Sequence, residues 1–380
     1  MKALVIGAGM MGSAEAYDLV HSDEVESVIL ADKDEEKAKH AAEVLGKKIH
    51  PRTLDVGYFD DVVEVMNQVD VALGATSYQH NVLLTEAAIE AGIHFCDLGG
   101  NMDVVYKQME LDARAKQAGV IIMPNCGLAP GMACVIAAGA AKKFEQLDEI
   151  HLRVGGLPQH PQPPLNYQLV FAPEGLVNEY LEPTEALRNG ELATLESMID
   201  VESLEFPQPF GEMEAFNTSG GASTLVHMFK GKVRELDYKT IRYKGHCERF
   251  KMLLDLGFGS SEPIVLGEKT FTARELFEQM LYNKLPHNGP DVVLVRVTLV
   301  GTMQGIKKKM EYEMIDYYDT ASRLTSMMRT TAFPTSIIAQ MAVRGEIQAR
   351  GVMPPEQCVP LEPFIKELSK RNIVFAERLS

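Results

Sequence analysis

A glycine-rich turn between two apolar segments constrains the fold of this chain more than any other feature. Residues 2–6 (KALVI) are a short apolar run, and the turn Gly-Ala-Gly-Met-Met-Gly follows at once at residues 7–12. An amphipathic segment at 13–21 and a second apolar run at 28–31 come next, and Asp32 ends that run. This order of strand, glycine turn, helix and strand predicts the first βαβ unit of a doubly wound sheet.

Each glycine of the turn has a physical reason in such a unit. Gly7 permits the tight turn after the strand, Gly9 lets a pyrophosphate approach the backbone, and Gly12 lets the helix pack close to the strand. The free N–H groups and the dipole at the helix start then attract the phosphates. The predicted cofactor contacts in the turn are Gly7, Ala8, Gly9, Met10, Met11 and Gly12.

Asp32 predicts which dinucleotide binds. Its carboxylate accepts hydrogen bonds from the hydroxyls of an adenosine ribose, and its charge repels the 2′-phosphate of NADP. Lys33 beside it weakens this preference a little. We therefore expect NAD as the cofactor, with NADP the lesser candidate.

Strands and helices alternate through the first third of the chain. Apolar runs predict strands at 48–56, 70–75, 94–98 and 120–124, separated by predicted helices at Glu35–Leu45, 59–68, 80–91 and 103–118. This alternation implies a parallel sheet with ligands at its carboxyl edge. Further cofactor contacts are expected where the third and fourth strands end, at Asp55, Val56, Ala75 and Thr76.

The pattern changes after residue 124. Pro130 suits a first helical position and predicts a helix at 131–143. A strand at 149–154 leads into an irregular, proline-rich stretch at 160–180, and helices are predicted at 274–281 and 331–344, the latter with Pro334 in its first turn. Strands at 292–301 and 307–317 alternate around Gln304-Gly305, which predicts an antiparallel hairpin.

These elements predict an α/β protein: an N-terminal Rossmann doubly wound parallel sheet, then a region whose later strands are antiparallel. We expect a dinucleotide-binding domain at 1–128 and a C-terminal segment at 331–380 that packs back on the first domain.

Composition narrows the classes of function. The 380 residues are 46% apolar, yet no run of 18 apolar residues predicts a membrane-spanning helix. The five scattered cysteines form no CxxC pair, which indicates reduced thiols and no metal site. The net charge of −16 opposes binding to nucleic acid and to anionic membranes. The N-terminus does not look like a signal peptide, so we expect a cytoplasmic protein.

Several phrases of the sequence resemble the saccharopine dehydrogenase family, and most closely its lysine-oxidising branch. The resemblance covers essentially the whole chain. The phrases are GAGMMG (7–12), AAIEAGIHFCDLGG (87–100), PNCGLAPGM (124–132), VGGLP (154–158), FNTSGGAST (216–224), TIRYKGHCERFKMLLDLG (240–257) and GVMPPEQCVP (351–360).

This resemblance implies NAD-dependent oxidative deamination of the ε-amine of L-lysine, which gives allysine (cyclising to piperideine-6-carboxylate), ammonia and NADH. It also implies that residues 129–330 form a substrate-binding and dimerisation domain, a second α/β domain with a mixed or antiparallel sheet. The protein is then expected to be a homodimer or higher homo-oligomer with a small amino-acid substrate. The alternatives are a saccharopine-type reductase that joins an amino acid to an oxo-acid or aldehyde, and a dehydrogenase of a related diamine or amino acid. An NAD-sensing binding protein is the non-enzymatic alternative.

Amine oxidation by hydride loss needs an uncharged nitrogen, whereas the lysine side chain has a pKa of about 10.4. Arg242 is the predicted anchor for the substrate α-carboxylate, or else forms an ion pair on a strand. Asp97 is expected to bind the amine or a ribose hydroxyl, or else to cap a helix. His246 is the candidate proton acceptor, with a purely structural role as its alternative. Cys126 is expected to contact the nicotinamide or the substrate, without acting as a nucleophile.

The remaining candidates are substrate contacts. Tyr167 and Glu174 lie in the irregular stretch, which is expected to close over the substrate. Glu174 is a candidate counter-charge for a substrate ammonium, or else an exposed loop acid. Thr218 and Ser219 begin a small-residue loop that presents N–H groups to a carboxylate, or else an ordinary turn. Gly156 of the VGGLP phrase is the last predicted contact.

Overall fold

A computed structural model describes residues 1–287 and 289–380. The described chain forms two compact units. The first unit comprises Met1–Phe144, Ser223–Leu225 and Met328–Phe375, and the second comprises Glu145–Ala222, Val226–Met327 and Ala376–Ser380. Both predicted domain boundaries, after residues 128 and 330, fall within the first unit. They stay predictions about independently folding domains.

The elements are numbered along the chain. The strands are β1 (Lys2–Ile6), β2 (Ser27–Asp32), β3 (Ile49–Thr53), β4 (Val71–Gly74), β5 (His94–Asp97), β6 (Ile121–Met123), β7 (Gln146–Pro158), β8 (Thr184–Arg188), β9 (Glu191–Leu195), β10 (Glu202–Phe206), β11 (Gly211–Asn217), β12 (Glu235–Tyr243), β13 (Pro263–Leu266), β14 (Lys269–Thr272), β15 (Asp291–Met303), β16 (Ile306–Tyr317), β17 (Gly351–Val352) and β18 (Ala376–Leu379).

The helices follow the same order, and a 3₁₀ turn at Tyr78–His80 precedes the fourth. They are α1 (Met10–Val20), α2 (Glu35–Leu45), α3 (Phe59–Met66), α4 (Asn81–Ala91), α5 (Met102–Met109), α6 (Asp112–Ala118), α7 (Met132–Ala141), α8 (Pro173–Leu181), α9 (Leu225–Phe229), α10 (His246–Asp255), α11 (Ala273–Lys284), α12 (Ser326–Val343), α13 (Pro355–Cys358) and α14 (Leu361–Lys370).

A parallel sheet forms the centre of the first unit. Its strand order is β17-β6-β5-β4-β1-β2-β3, and every neighbouring pair is parallel. The chain runs outward from β1 first through β2 and β3 and then through β4 to β6, so the strand order reverses between β1 and β4. The predicted doubly wound sheet is confirmed, and a ligand site is expected at this reversal.

The helices between β1 and β6 agree with the prediction except at one place. Helix α2 begins after Asp34, whose carboxylate accepts hydrogen bonds from Glu36 N–H and Lys37 N–H, and it ends at Gly46 with a φ of 95°. The single helix predicted at 103–118 is wrong, because α5 ends at Met109 and α6 begins at Asp112. No proline or glycine marks this break in the sequence.

A mixed sheet forms the centre of the second unit. Its main path is β10-β11-β12-β7-β15-β16-β18, and β8 pairs with β12 and β9. Strands β7 and β12 are parallel, whereas the other neighbours are antiparallel. The hairpin of β15 and β16 is confirmed, and its turn residues Gln304 and Gly305 both have positive φ angles, 50° and 74°. Such angles suit the twist of a two-residue hairpin.

The positions of three prolines relative to the helices differ from the prediction. Pro130 precedes α7, which begins only at Met132, so it is not a helical residue. Pro173 occupies the first turn of α8, and the irregular stretch predicted at 160–180 is therefore wrong from residue 173 onward. Pro334 lies inside α12 rather than in its first turn.

The start of α12 depends on a distant carboxylate. The buried Asp291 of β15 accepts hydrogen bonds from Ser326 N–H at 2.6 Å and Met327 N–H at 2.8 Å. These N–H groups lack partners inside any helix, so an acid at this place stabilises a start at Ser326. The predicted start at residue 331 is wrong because the capping acid is remote in sequence.

Candidate functional site

The glycine turn of the first unit has the shape that a dinucleotide needs. Gly7 has a φ of 109°, and a Cβ built there would lie 2.5 Å from the Ala75 carbonyl oxygen. A Cβ at Gly12 would lie 1.8 Å from the Gly7 carbonyl oxygen. A Cβ at Gly9 would meet no protein atom within 4 Å. Packing therefore explains Gly7 and Gly12, whereas the open space at Gly9 fits a pyrophosphate against the backbone.

The residues between these glycines start helix α1. Ala8 is buried and Met11 is half-buried, whereas Met10 is 54% exposed beside the turn. Their contact with a cofactor stays a prediction.

Asp32 lies at the carboxyl end of β2 and is held against the turn. Its Oδ2 accepts a hydrogen bond from Ala8 N–H at 2.7 Å, and its Oδ1 accepts one from Asp34 N–H at 2.9 Å. Each carboxylate oxygen can accept a second hydrogen bond, so the group remains able to bind a ribose diol. Lys33 is exposed, and the acids Glu35 and Glu36 in the first turn of α2 add negative charge nearby along the chain.

The other predicted cofactor contacts follow strands of the same sheet. Asp55 comes after β3 and accepts a hydrogen bond from Gly57 N–H, and Val56 beside it is half-buried. Ala75 comes after β4 and donates its N–H to the Ile6 carbonyl. The hydroxyl of Thr76 is buried without a hydrogen-bond partner among the described residues. These placements agree with the predicted ends of the strands, and the contacts themselves stay predictions.

Asp97 is fully buried at the end of β5. Its Oδ1 accepts a hydrogen bond from Gly99 N–H at 2.7 Å, and its Oδ2 accepts one from Gln108 Nε2 at 2.7 Å. Burial raises the pKa of this carboxyl to about 6. The alternative reading of Asp97 as a helix cap is wrong, because Asn101 caps α5. Its ligand role stays a prediction, although protein groups contact both oxygens in this structure.

Two further buried groups lie in the first unit. Cys126 donates its thiol to the Met123 carbonyl at 3.2 Å, and burial raises the pKa of the thiol well above its ordinary value. Glu15 on α1 was not predicted, yet it is fully buried and neither carboxylate oxygen has a hydrogen-bond partner among the described residues. Burial, and then the charge of Asp97, raise the pKa of Glu15 well above its ordinary value. One sign of this burial is visible in the sequence: Glu15 stands between two apolar residues, Ala14 and Ala16, in a predicted helix.

The second unit brings several predicted substrate residues together around Arg242. This side chain on β12 is 3% exposed. Its Nε donates to the Tyr180 hydroxyl at 2.7 Å, and its Nη1 donates to the Ile241 carbonyl at 3.0 Å. Its guanidinium lies 4.9 Å from the centre of the Tyr167 ring, a cation–π contact. Nη2 makes no hydrogen bond with the described residues and lies 3.8 Å from Oε1 of Glu179.

His246 begins helix α10 and has both ring nitrogens in hydrogen bonds. Nδ1 contacts the Leu165 carbonyl at 2.9 Å, so Nδ1 carries the proton. Nε2 then accepts a hydrogen bond from the Tyr180 hydroxyl at 3.1 Å. Burial, and then the charge of Arg242, lower the pKa of His246 to about 3. Its role as proton acceptor stays a prediction, but Tyr180 already occupies the nitrogen that would accept the proton.

A chain of hydroxyls ends at Glu179 on α8. Thr240 lies 2.7 Å from Oε1 of Glu179 and 2.6 Å from the hydroxyl of Thr218. Because a carboxylate only accepts, Thr240 donates to Glu179 and Thr218 donates to Thr240. Ser219 donates its N–H to the Glu179 carbonyl at 3.1 Å. Sequence reasoning found Thr218 and Ser219 but missed the residues that they contact, Glu179 and Thr240.

Tyr167 is fully buried, and its hydroxyl has no hydrogen-bond partner among the described residues. The side chain also lines a cavity of about 100 Å³ together with Pro158, Gln168 and Pro286. A buried hydroxyl without a partner is uncommon, and it indicates a place for a ligand or a water.

The structure does not bring two other candidates to this cluster. Gly156 lies inside β7, where a Cβ would stand 2.3 Å from the flexible end of the Met327 side chain, so that side chain would have to move. Glu174 is exposed in the first turn of α8, and its carbonyl accepts a hydrogen bond from Arg274. Their substrate contacts stay predictions.

Two family models match the chain in succession. The model of the saccharopine dehydrogenase NADP binding domain matches residues 3–123, and the model of the saccharopine dehydrogenase C-terminal domain matches residues 127–374. The chain belongs to the saccharopine dehydrogenase family. The predicted family is thus confirmed, and one of its two matching models is named for binding a nicotinamide dinucleotide.

Three curated relatives have about a fifth of their aligned residues identical to this chain. Alpha-aminoadipic semialdehyde synthase of Bos taurus is 21% identical over 98% of this chain, and the chain spans only 47% of that protein. Carboxynorspermidine synthase of Vibrio cholerae is 23% identical, with 97% of this chain and 94% of that protein covered. Saccharopine dehydrogenase [NADP(+), L-glutamate-forming] of Schizosaccharomyces pombe is 21% identical, with 86% and 88% covered.

A solved structure of the family supports the fold. The apo saccharopine dehydrogenase (L-Glu forming) of Saccharomyces cerevisiae superposes with a TM-score of 0.80 at 19% identity, over 100% of this chain and 99% of that one. This match confirms the predicted α/β fold class, with a Rossmann sheet and a second, mixed sheet.

Among the described residues, no group of three or more His, Cys, Asp or Glu side chains is placed to hold a metal ion. Within 1–287 and 289–380, no helix combines the length and apolarity needed to cross a membrane.

Proposed function

We propose that this protein oxidises the ε-amine of L-lysine with NAD and releases ammonia. The observation that carries the proposal is the buried guanidinium of Arg242, whose Nη2 makes no hydrogen bond with the described residues. It lies against the ring of Tyr167, whose hydroxyl has no partner among those residues either. One guanidinium can bind one carboxylate. Arg153 and Lys239, two other buried cations of the second unit, are already paired with Glu202. A substrate with one carboxylate therefore fits better than one with three.

Asp32 supports NAD within this proposal. The bound nicotinamide supplies the hydride acceptor, the glycine turn binds the pyrophosphate, and Asp32 binds the ribose diol. The name of the matching family domain favours NADP instead. We propose NAD because hydrogen bonds from Ala8 N–H and Asp34 N–H hold the Asp32 carboxylate in place. The carboxylate therefore cannot easily move away from the 2′-phosphate of NADP, which it repels.

A saccharopine-type reaction is the second candidate. In it, the enzyme joins an amino acid to an oxo-acid or aldehyde by reduction. Its support comes from the relatives: the carboxynorspermidine synthase and the saccharopine dehydrogenase of Schizosaccharomyces pombe align over 94% and 88% of their lengths. A homodimer in the cytoplasm remains part of the proposal for either reaction.

A spectrophotometric assay separates the two reactions. The purified protein is mixed with L-lysine and NAD, without any oxo-acid, and NADH and ammonia are measured, with NADP in a parallel arm. Formation of both products supports lysine oxidation. Oxidation of the reduced cofactor that requires both an amino acid and an aldehyde or oxo-acid contradicts it and supports the second candidate.

A further inference from the structure

We propose that Glu179 completes a binding site for the head group of an α-amino acid, in which Arg242 and Tyr167 hold the carboxylate and Glu179 holds the ammonium. This inference deepens the proposed function and rests on its amino-acid substrate. It adds a residue for the second charge of the head group, and it makes the α-ammonium a requirement for binding.

One oxygen of the Glu179 carboxylate is held by a hydrogen bond, and the other oxygen is free to bind a ligand. Thr240 donates to Oε1, and Thr218 fixes Thr240 in turn, so one oxygen has a defined position. Oε2 makes no hydrogen bond with the described residues, and the side chain is 19% exposed. A half-buried carboxylate with a free oxygen is a strong acceptor for an ammonium group.

Two donors beside this carboxylate are also unused. Nη2 of Arg242 has no hydrogen bond with the described residues, because the Tyr180 hydroxyl and the Ile241 carbonyl accept from the other two nitrogens, Nε and Nη1. The Tyr167 hydroxyl is the second unused donor, and its ring lies against the same guanidinium. The gap of 3.8 Å between Arg242 and Glu179 is too long for a hydrogen bond, so neither group saturates the other.

Arg242 and Glu179 are neighbours of opposite charge, as an amino-acid head group requires, with Nη2 and Oε1 3.8 Å apart. The ammonium and the carboxylate of an α-amino acid are attached to one carbon, so their protein partners must be close neighbours of opposite charge. A ligand that lacks one charge leaves either the acid or the guanidinium without its partner in a largely buried place, and that lowers affinity.

Calorimetric titration with three probes tests the site without requiring turnover. L-Norleucine carries the head group without a second amine, hexanoate lacks the ammonium, and pentylamine lacks the carboxylate. We expect the wild-type protein to bind norleucine at least about tenfold more tightly than either other probe, because each charged hydrogen bond contributes on that scale. In Glu179→Gln the preference for norleucine over hexanoate should fall to about threefold or less.

Matched variants keep the test specific. Glu182→Gln makes the same change at an exposed residue at the end of the same helix, and it should keep the wild-type preference. Thr240→Val leaves Glu179 in place but removes its donor, so it should weaken norleucine binding while hexanoate binding stays unchanged. Equal binding of norleucine and hexanoate by the wild-type protein overturns the proposal, and so does wild-type affinity for norleucine in Glu179→Gln.

The outcomes also separate this site from the proposed reaction. The expected binding pattern without oxidation of lysine keeps the head-group site and refutes the reaction. Oxidation of lysine together with unchanged norleucine affinity in Glu179→Gln keeps the reaction and refutes the site.

Discussion

A hydrogen bond to the Tyr180 hydroxyl orients the guanidinium of Arg242. The tyrosine hydroxyl has one proton, which it donates to His246, and it accepts the Nε proton of Arg242. These hydrogen bonds fix the orientation of the guanidinium and leave Nη2 for a ligand. Because His246 is buried and its pKa is lowered to about 3, it is neutral near pH 7 and contacts Arg242 through the Tyr180 hydroxyl.

The role of Arg242 is tested by Arg242→Lys. Lysine keeps the charge but loses the planar pair of donors, so we expect the KM for L-lysine to rise at least about tenfold while the KM for NAD stays within about twofold. Steady-state kinetics with each substrate varied in turn measures both constants. Arg249→Lys, at an exposed position, is the control. Equal changes in the two constants would count against a carboxylate anchor.

The role of Asp32 is tested by Asp32→Asn. The change removes the charge that repels a 2′-phosphate and weakens the bonds to the ribose diol. We expect the ratio of kcat/KM with NADP to kcat/KM with NAD to rise at least about tenfold. Asp23→Asn removes the same charge at an exposed position and should leave the ratio unchanged. A wild-type protein that already prefers NADP would refute the cofactor proposal.

His246 should make stability depend on pH. Its pKa is about 3 in the folded protein, whereas it is about 6.5 in an unfolded chain. Between these values the unfolded chain binds more protons, so stability is lost as the pH falls below about 6.5, by up to about 1.4 kcal/mol per pH unit. Urea unfolding at pH 7 and pH 5 should show a smaller loss for His246→Gln than for the wild type.

The exposed His40 provides the control for this effect. His40→Gln should keep the wild-type dependence on pH. If His246→Gln kept it too, the ring would have to titrate near its ordinary pKa.

At the level of elements, an acid on a strand holds the start of α10, the helix that carries His246. Glu214 on β11 accepts hydrogen bonds from Gly245 N–H at 2.8 Å and Cys247 N–H at 2.6 Å, at the start of α10. Asp291 does the same for α12. Both helices therefore start where a strand elsewhere in the chain supplies a carboxylate, and the N-cap residue of α10, Gly245, makes no side-chain cap of its own.

Glu214→Ala tests this arrangement. Two buried N–H groups lose a charged acceptor, so we expect the free energy of unfolding to fall by about 2–4 kcal/mol. Urea denaturation measures it. Glu212→Ala on the same strand removes an exposed acid paired with Lys244 and should cost less than about 1 kcal/mol. Similar losses in both variants would contradict the capping role.

For the whole molecule, the C-terminal segment belongs to the first unit as far as Phe375, whereas Ala376–Ser380 belongs to the second. Strand β17 extends the parallel sheet beside β6. Asp18 on α1 accepts hydrogen bonds from Arg371 at 2.5 Å and from Ser336 at 2.6 Å, and all three belong to the first unit. Chain ends far apart in sequence are thus joined by one largely buried ion pair.

Arg371→Ala tests this connection. Removing one partner leaves Asp18 buried with fewer donors, and such losses cost about 3–5 kcal/mol. We expect a matching decrease in the free energy of unfolding, measured by urea denaturation. Lys370→Ala removes an exposed partner of Glu367 and should cost less than about 1 kcal/mol. An Arg371→Ala protein as stable as the wild type would refute the connection.

The sequence by itself determined the features that depend on contiguous residues. The turn of Gly7, Gly9 and Gly12 and the acid at Asp32 belong to one βαβ unit, whose spacing is set by backbone geometry. The hairpin at Gln304-Gly305 could be predicted for the same reason, since its turn and both strands are contiguous in the sequence. Arg242, His246 and Tyr167 could be named from residue type and family phrases, although their mutual contacts could not.

Only the tertiary structure decided which groups meet. Glu179, Tyr180, Thr240 and Arg242 come from a helix and a strand about sixty residues apart, and such contacts have no period or spacing in the sequence. The start of α12 depends on Asp291, and the partnerless burial of Glu15 depends on packing around α1. The physical reason is the same in each case: the energy of a buried charge depends on its neighbours in space, which chain order does not specify.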